Sequence, residues 1–281
     1  MKAPAIPANE AARLAALQSY HVLDTPAEKP FDDIARLAAH ILDVPIALVS
    51  LIDSDRQWFK ARYGLDATET SREVSFCGHV VAAGETMLIA DAALDDRFKD
   101  NPLVTGGPMI RSYCGIPLKT ARGDVLGTLC ALDSEPHTFS PEQVDMIGIL
   151  ADRVMAELEL RRELVFRRQF STAVDHSPYF LALANLEGKP FYLNATARAW
   201  LGVAKDGPMP NHIADWHVEA MKRFVREDLI AQAIADGRWA GGTTFVRDGI
   251  EIAVDESVHA EPATDQYPGY IAVGALERTR S

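Results

Sequence analysis

Apolar residues at Phe31, Ile34, Leu37, Ala38 and Ile41 follow three- and four-residue steps and predict an amphipathic helix over residues 31–42. A shorter helix is predicted over residues 10–20, capped by Asn9, with Leu14 and Leu17 on one face and Asp24-Thr25-Pro26 as its breaker. The run Val44 to Asp53 is too uniformly apolar for an exposed strand and reads as a buried central one. Residues 56–63 alternate and return as its hairpin partner. A short helix opens behind Ser75, residues 87–90 form a small strand, and residues 95–105, rich in Asp, Asn, Pro and Gly, read as a surface loop. Strands over 112–119 and 125–132 follow, joined by a turn at 121–124. This order predicts an antiparallel sheet with helices packed on one side.

Ser140-Pro141-Glu142-Gln143 combines a capping residue, a first-turn proline and a first-turn glutamate. No further helix breaker except Gly148 occurs before Pro178, so a helix is predicted from 140 to about 170, roughly 45 Å long. Ile147, Ala151, Val154, Leu158, Arg161 and Val165 lie at alternating four- and three-residue steps, the spacing of a coiled-coil seam with one polar interruption. The first half of that row equally suits packing on the sheet of its own domain. Beyond Leu158 the segment is too charged for a core helix and is expected to act as a dimerising linker.

A second domain is expected from about residue 171. Strand-like runs at 180–184 and 190–193 flank a turn, Asn194 opens a short helix that ends at Gly202, and residues 218–236 form a helix stopped by Gly237. Three further strands are predicted, over 243–247, 251–259 and 269–276. The fold class is therefore α+β: two tandem domains, 1–155 and 171–281, each an antiparallel sheet flanked by helices, joined by a linker helix at 156–170.

Composition sharpens this only a little. A chain of 281 residues with 48% hydrophobic and 24% charged side chains suits two globular domains. The net charge of −12 argues against a general nucleic-acid binder, which needs clustered Lys and Arg. No run approaches the ~20 apolar residues of a membrane span, and the N-terminus lacks a signal-peptide stretch, so a cytoplasmic protein is expected. Cys77, Cys114 and Cys130 are an odd count without metal-site spacing, so no disulfide framework or metal is expected.

Several stretches, in order, carry a resemblance. They are Leu23-Asp24-Thr25-Pro26, the strand Val44–Asp53 with Arg56-Gln57-Trp58-Phe59, Val74-Ser75-Phe76-Cys77-Gly78-His79, Asp95-Asp96-Arg97-Phe98, Asn101-Pro102, Arg111 to Leu118, and Leu126-Gly127-Thr128-Leu129-Cys130. Together they resemble the GAF family, in the bacterial subgroup at the front of sensor histidine kinases and diguanylate cyclases. Residues 170–277 resemble a PAS domain through His176-Ser177-Pro178, Leu186 to Asn194, Asp215-Trp216-His217, Gly237 to Gly241 and Arg247-Asp248-Gly249. The resemblance implies pocketed sheets that bind an unknown small molecule or a partner, usually as homodimers. The signal then passes along connecting helices in a two-component or cyclase pathway. It also implies that this chain is not itself an enzyme: no phospho-acceptor His box, Gly-rich ATP lid or cyclase motif occurs in it.

The first-domain pocket is expected to draw on Trp58, Phe76, Cys77, His79, Arg111 and Tyr113, with Arg111 alternatively paired to Asp95 or Asp96. The second-domain pocket is expected to draw on Phe180, Tyr192, Asn194, Trp200 and Trp239. Ile147, Ala151, Val154, Leu158 and Val165 form the expected dimer seam. No cofactor is expected: His176, His212, His217 and His259 lack metal spacing, and His217 stands at a helix entry as a capping residue. Two alternatives remain. One is a thiol enzyme similar to free methionine sulfoxide reductases, using Cys77 and Cys114, although the attacking cysteine of that pattern is missing from 104–110. The other is a ligand-free protein interaction module.

Overall fold

In a computed structural model, which describes residues 1–278, the chain divides into two units, Met1–Phe166 and Arg167 onward. The first opens with α1 (Glu10–Ser19) and α2 (Lys29–Leu42). Helix α2 buries Phe31, Ile34, Ala35, Ala38, Ala39 and Leu42, so the inward face is rotated from the predicted one and leaves Leu37 exposed. A six-stranded antiparallel sheet follows from β1 (Ile46–Ile52), β2 (Arg56–Tyr63), β3 (Glu69–Ser71), β4 (Met87–Ile89), β5 (Ser112–Lys119) and β6 (Val125–Asp133). Its order is β3-β2-β1-β6-β5-β4. Helices α3 (Phe76–Ala83) and α4 (Pro102–Thr105) lie between strands in sequence.

Because side chains alternate across a strand, the sheet separates two cores. Ala47, Val49, Leu51, Leu129 and Ala131 face α2 and the start of α5 (Pro141–Asp175). Leu48, Ile52, Cys130, Leu132 and Tyr113 face α3 on the other side. The stretch 95–105 departs from the expected surface loop. Phe98 is fully buried and stacks on Phe76 with centroids 4.0 Å apart, and buried Asn101 caps α4 while its side-chain amide donates to the Val74 carbonyl at 3.0 Å. One apolar anchor and one capping amide among polar residues are enough to fold the loop onto the sheet.

Helix α5 runs 35 residues. Ile147, Ala151, Val154 and Leu158 are buried in the first unit's own core, against β1, β2 and α2 side chains. The expected dimer seam is corrected accordingly: these four would have to leave that core before they could meet a partner helix. Arg161, the polar interruption in the row, donates to the carbonyls of Tyr20 and His21 and pairs with Glu28 at 2.8 Å, all within the first unit. Val165, the last of the row, is half-buried.

The second unit holds a five-stranded antiparallel sheet of order β8-β7-β11-β10-β9. Its strands are β7 (Phe180–Asn185), β8 (Pro190–Leu193), β9 (Arg238–Arg247), β10 (Ile250–Glu261) and β11 (Tyr270–Glu277), flanked by α6 (Ala195–Leu201), α7 (Glu219–Phe224) and α8 (Ile230–Asp236). A π turn at Val225–Leu229 joins α7 to α8. Among the described residues no helix is long and apolar enough to cross a membrane.

Candidate functional site

On the α3 side of the first sheet lies a cavity of about 330 Å³. Its floor is Leu48 of β1, Leu132 of β6 and Tyr113 of β5; Phe59 of β2 forms a wall; Phe76 and Cys77 of α3 close one end; Leu103, Pro108 and Ile110 cover it. Among the described residues its lining contains no charged side chain. Gln57 and Thr70 supply its polarity. They are directly opposed on β2 and β3, and Gln57 Oε1 and Thr70 Oγ1 are buried without a hydrogen-bond partner. Leaving a buried polar group unpaired costs roughly 1–3 kcal/mol, so a guest that supplies a donor recovers that cost. The arrangement fits a compact apolar body carrying a hydrogen-bond donor.

Beside the cavity is a sulfur cluster. Ser75 caps α3 by accepting from the Gly78 N–H at 2.7 Å, which sets Cys77 in the first turn and aims it at the sheet. There Cys77 Sγ lies 3.5 Å from Cys130 Sγ and 3.3 Å from the Tyr113 hydroxyl. Ser50 and Thr128, paired across β1 and β6, are buried on the same face of the sheet, and neither hydroxyl has a hydrogen-bond partner. Burial alone would raise the Cys77 thiol. Its hydrogen bonds with Cys130 and the Tyr113 hydroxyl, with the polar hydroxyls of Thr128 and Ser50 nearby, outweigh it and hold the thiol below its ordinary value. The shared hydrogen and burial push Cys130 the other way, well above the ordinary thiol value.

Of the six residues expected in this pocket, the structure gathers Phe76, Cys77 and Tyr113 and places the others elsewhere. Trp58 neighbours Phe59 on β2 and so faces the opposite core. His79 donates through Nε2 to the Lys2 carbonyl, 3.1 Å away, and rests edge-on against Phe98. Arg111 pairs with Asp91 at 2.6 Å, not with Asp95 or Asp96; Arg97 takes Asp95. Other motif residues brace the fold. Asp24 binds Arg56, and Thr25 accepts from the buried Lys60 ammonium at 3.0 Å. Gln57, Thr70, Ser50, Thr128 and Cys130 escaped sequence reasoning, because only strand register brings them together.

The five residues expected in the second unit's pocket do not share one. Phe180 is fully buried in an aromatic cluster with Trp200, Trp216 and Phe245. Trp239 packs on Phe224. Asn194 caps α6, and its amide also binds the Val174 and Tyr179 carbonyls. Tyr192 faces the other side of the sheet, lining a smaller cavity of about 280 Å³ with Phe170, Val174 and Leu183. His217 does not cap α7. Its Nε2 lies 3.0 Å from Glu256 Oε2, which also accepts from the Thr243 hydroxyl at 2.8 Å, and all of this is buried. Among the described residues no cluster of three or more His, Cys, Asp or Glu is placed to hold a metal.

The family model described as GAF domain matches residues 26–158. A cyclic di-GMP phosphodiesterase of Pseudomonas aeruginosa is 41% identical over 168 residues, spanning 60% of this chain and 27% of that protein. The chain thus spans about a quarter of the length of this curated relative. Among solved structures, the GAF domain of a Coxiella burnetii phosphoenolpyruvate-protein phosphotransferase is 21% identical, covers 55% of this chain and 95% of its own, and superposes with a TM-score of 0.43. A PAS domain from Colwellia psychrerythraea is 16% identical, covers 39% of this chain and 94% of its own, with a TM-score of 0.35.

Proposed function

The chain carries a GAF domain over residues 26–158, and from that premise we propose that it is a sensory module whose first unit binds a small, neutral, largely apolar molecule bearing a hydrogen-bond donor. The observation that carries this reading is the 330 Å³ apolar cavity in which Gln57 Oε1 and Thr70 Oγ1 stand buried and unpartnered. A nucleotide or a zwitterionic amino acid would bring charges to a lining that offers none, at a cost of several kcal/mol. The thiol-enzyme alternative also loses its expected partner. Cys114 lies on the opposite face of the sheet from Cys77.

The module regulates the output of a signalling enzyme and has no catalytic step of its own. The segment shared with a cyclic di-GMP phosphodiesterase supports a signalling role of this kind, where the sequence alone suggested a histidine kinase or diguanylate cyclase. Occupancy reaches α5 through β1 and β6. Leu48 and Leu132 touch the cavity, while their neighbours Val49 and Ala131 belong to the core that holds Ile147, Val154 and Leu158. A ligand that prefers one packing of that core shifts the population of α5 states. Pairing of two copies and a cytoplasmic setting belong to this proposal, with the buried row of α5 excluded from the pairing contact.

Thermal denaturation in the presence of neutral aromatic alcohols and amines, set against nucleotides and amino acids, tests the reading. The neutral compounds raise the melting temperature, and Ile110→Trp, which fills the cavity, abolishes the rise. Stabilisation by the charged compounds, or by none of either group, would contradict it.

A further inference from the structure

The sulfur cluster is more than packing. Two thiols in contact, a tyrosine hydroxyl bonded to one of them, two unpartnered hydroxyls on the same sheet face and an adjoining apolar cavity make a set of parts with a specific chemistry. We propose that Cys77 and Cys130 form a disulfide when oxidised by a small hydroperoxide that reaches Cys77 through the cavity.

Cys77 is almost wholly buried, so solvent does not reach it directly, but it borders the cavity and is exposed to anything small and uncharged that enters. A hydroperoxide is such a molecule. The Tyr113 hydroxyl donates to Cys77 Sγ at 3.3 Å, and the buried hydroxyls of Ser50 and Thr128, which have no partner of their own, are further donors on the same face of the sheet. Donors of this kind favour the thiolate, the nucleophilic form of cysteine. The first-turn position of Cys77 on α3 acts in the same direction, because a helix N-terminus favours negative charge.

The chemistry balances. The Cys77 sulfur attacks one oxygen of the hydroperoxide, the O–O bond breaks, and the sulfur becomes a sulfenic acid. The departing alkoxide leaves as an alcohol with the proton that Cys77 gave up. The Cys130 sulfur then attacks the Cys77 sulfur, the S–O bond breaks, and the hydroxyl departs with the Cys130 proton as water. Two thiols and one hydroperoxide thus become one disulfide, one alcohol and one water. The sulfurs close from 3.5 Å to about 2.05 Å, drawing α3 toward β6 at the end of the cavity. Cys114 supplies an internal control. It is buried on the other face of the sheet, and burial pushes its thiol up to about 12.

This inference shares its cavity with the ligand reading above, and the two fail separately. The reduced full chain is exposed to hydrogen peroxide or tert-butyl hydroperoxide, alkylated under denaturing conditions and mapped by peptide mass spectrometry. A Cys77–Cys130 peptide pair lighter by two hydrogens is expected, with Cys114 alkylated and oxidised at least about tenfold more slowly. In Cys130→Ser, oxidation stops at a Cys77 sulfenic acid that dimedone traps. The wild-type map is decisive on its own should that variant fold poorly. Cys77 and Cys130 both still alkylated at doses that oxidise free cysteine in the same tube, or Cys114 reacting first, would overturn the couple. Ligand binding by the reduced protein with no disulfide on oxidation sinks the redox step alone. A disulfide in a protein that binds none of the neutral probes sinks only the ligand reading.

Discussion

The phenol of Tyr113 lies over Gly115, two residues along the same strand: a Cβ at Gly115 would fall 2.2 Å from the Tyr113 hydroxyl oxygen. Only a residue without a side chain lets the ring fold flat along β5 and bring its hydroxyl to Cys77. Gly115→Ala forces the ring away. Overpacking of this kind costs about 1–3 kcal/mol, so urea denaturation should show a loss in that range. The variant should also react differently with thiol reagents at Cys77, while Cys114 is unchanged.

Glu10 ties two buried arginines together, binding Arg13 at 2.8 Å and Arg72 at 2.6 Å. The Arg13 hydrogen bond, joined by that of Arg72, holds its carboxyl down to about 2 against the opposing effect of burial. The folded-state pKa is below the unfolded value near 4.5, so the stabilisation is complete above pH 4.5 and disappears as pH falls toward 2. It amounts to at most about 3 kcal/mol. In Glu10→Gln the unfolding free energy should vary less with pH across that window, and should already be lower at pH 7.

The inward row of α5 makes the first unit's core, and truncation there should act on folding. Val154→Ala and Leu158→Ala should cost about 1–5 kcal/mol in chemical denaturation, as deletion of buried methyl groups does. Leu164→Ala, on the exposed side, should stay within about 0.5 kcal/mol. Equal small effects at all three would mean that the helix does not pack on the sheet.

In the second unit, His217 and Glu256 share one buried contact at 3.0 Å, and Glu256 also holds Thr243. Removing either partner strands the other away from water. His217→Ala and Glu256→Ala should each destabilise by about 3–5 kcal/mol. A double-mutant cycle should return a coupling energy well above the few tenths of a kcal/mol found for independent sites.

The order of helices and strands was legible because it rests on local periodicity and caps. Phe31 to Ile41 repeat with the helical period, Ser75 and Asn194 cap the helices they precede, and Gly202 and Gly237 end helices in the left-handed conformation. The site was legible only where one motif supplied it, as with Phe76 and Cys77. Gln57 and Thr70 meet through strand pairing, Cys77 and Cys130 are 53 residues apart, and His217 and Glu256 are 39 apart. No local pattern encodes those distances. The α5 row misled for a related reason: steps of three and four place residues on one helix face, whether a sheet or another helix covers it.

In the proposed function, the cavity accepts an apolar guest with a donor aimed at Gln57 Oε1. Isothermal titration of the full chain with indole, and with 1-methylindole, which lacks the N–H, tests this directly. Saturable binding of indole at one site is predicted, tighter than 1-methylindole by about fivefold, the value of one hydrogen bond. That preference should vanish in Gln57→Leu. No saturable binding of either compound, or equal affinity for both in the unsubstituted protein, would contradict the account.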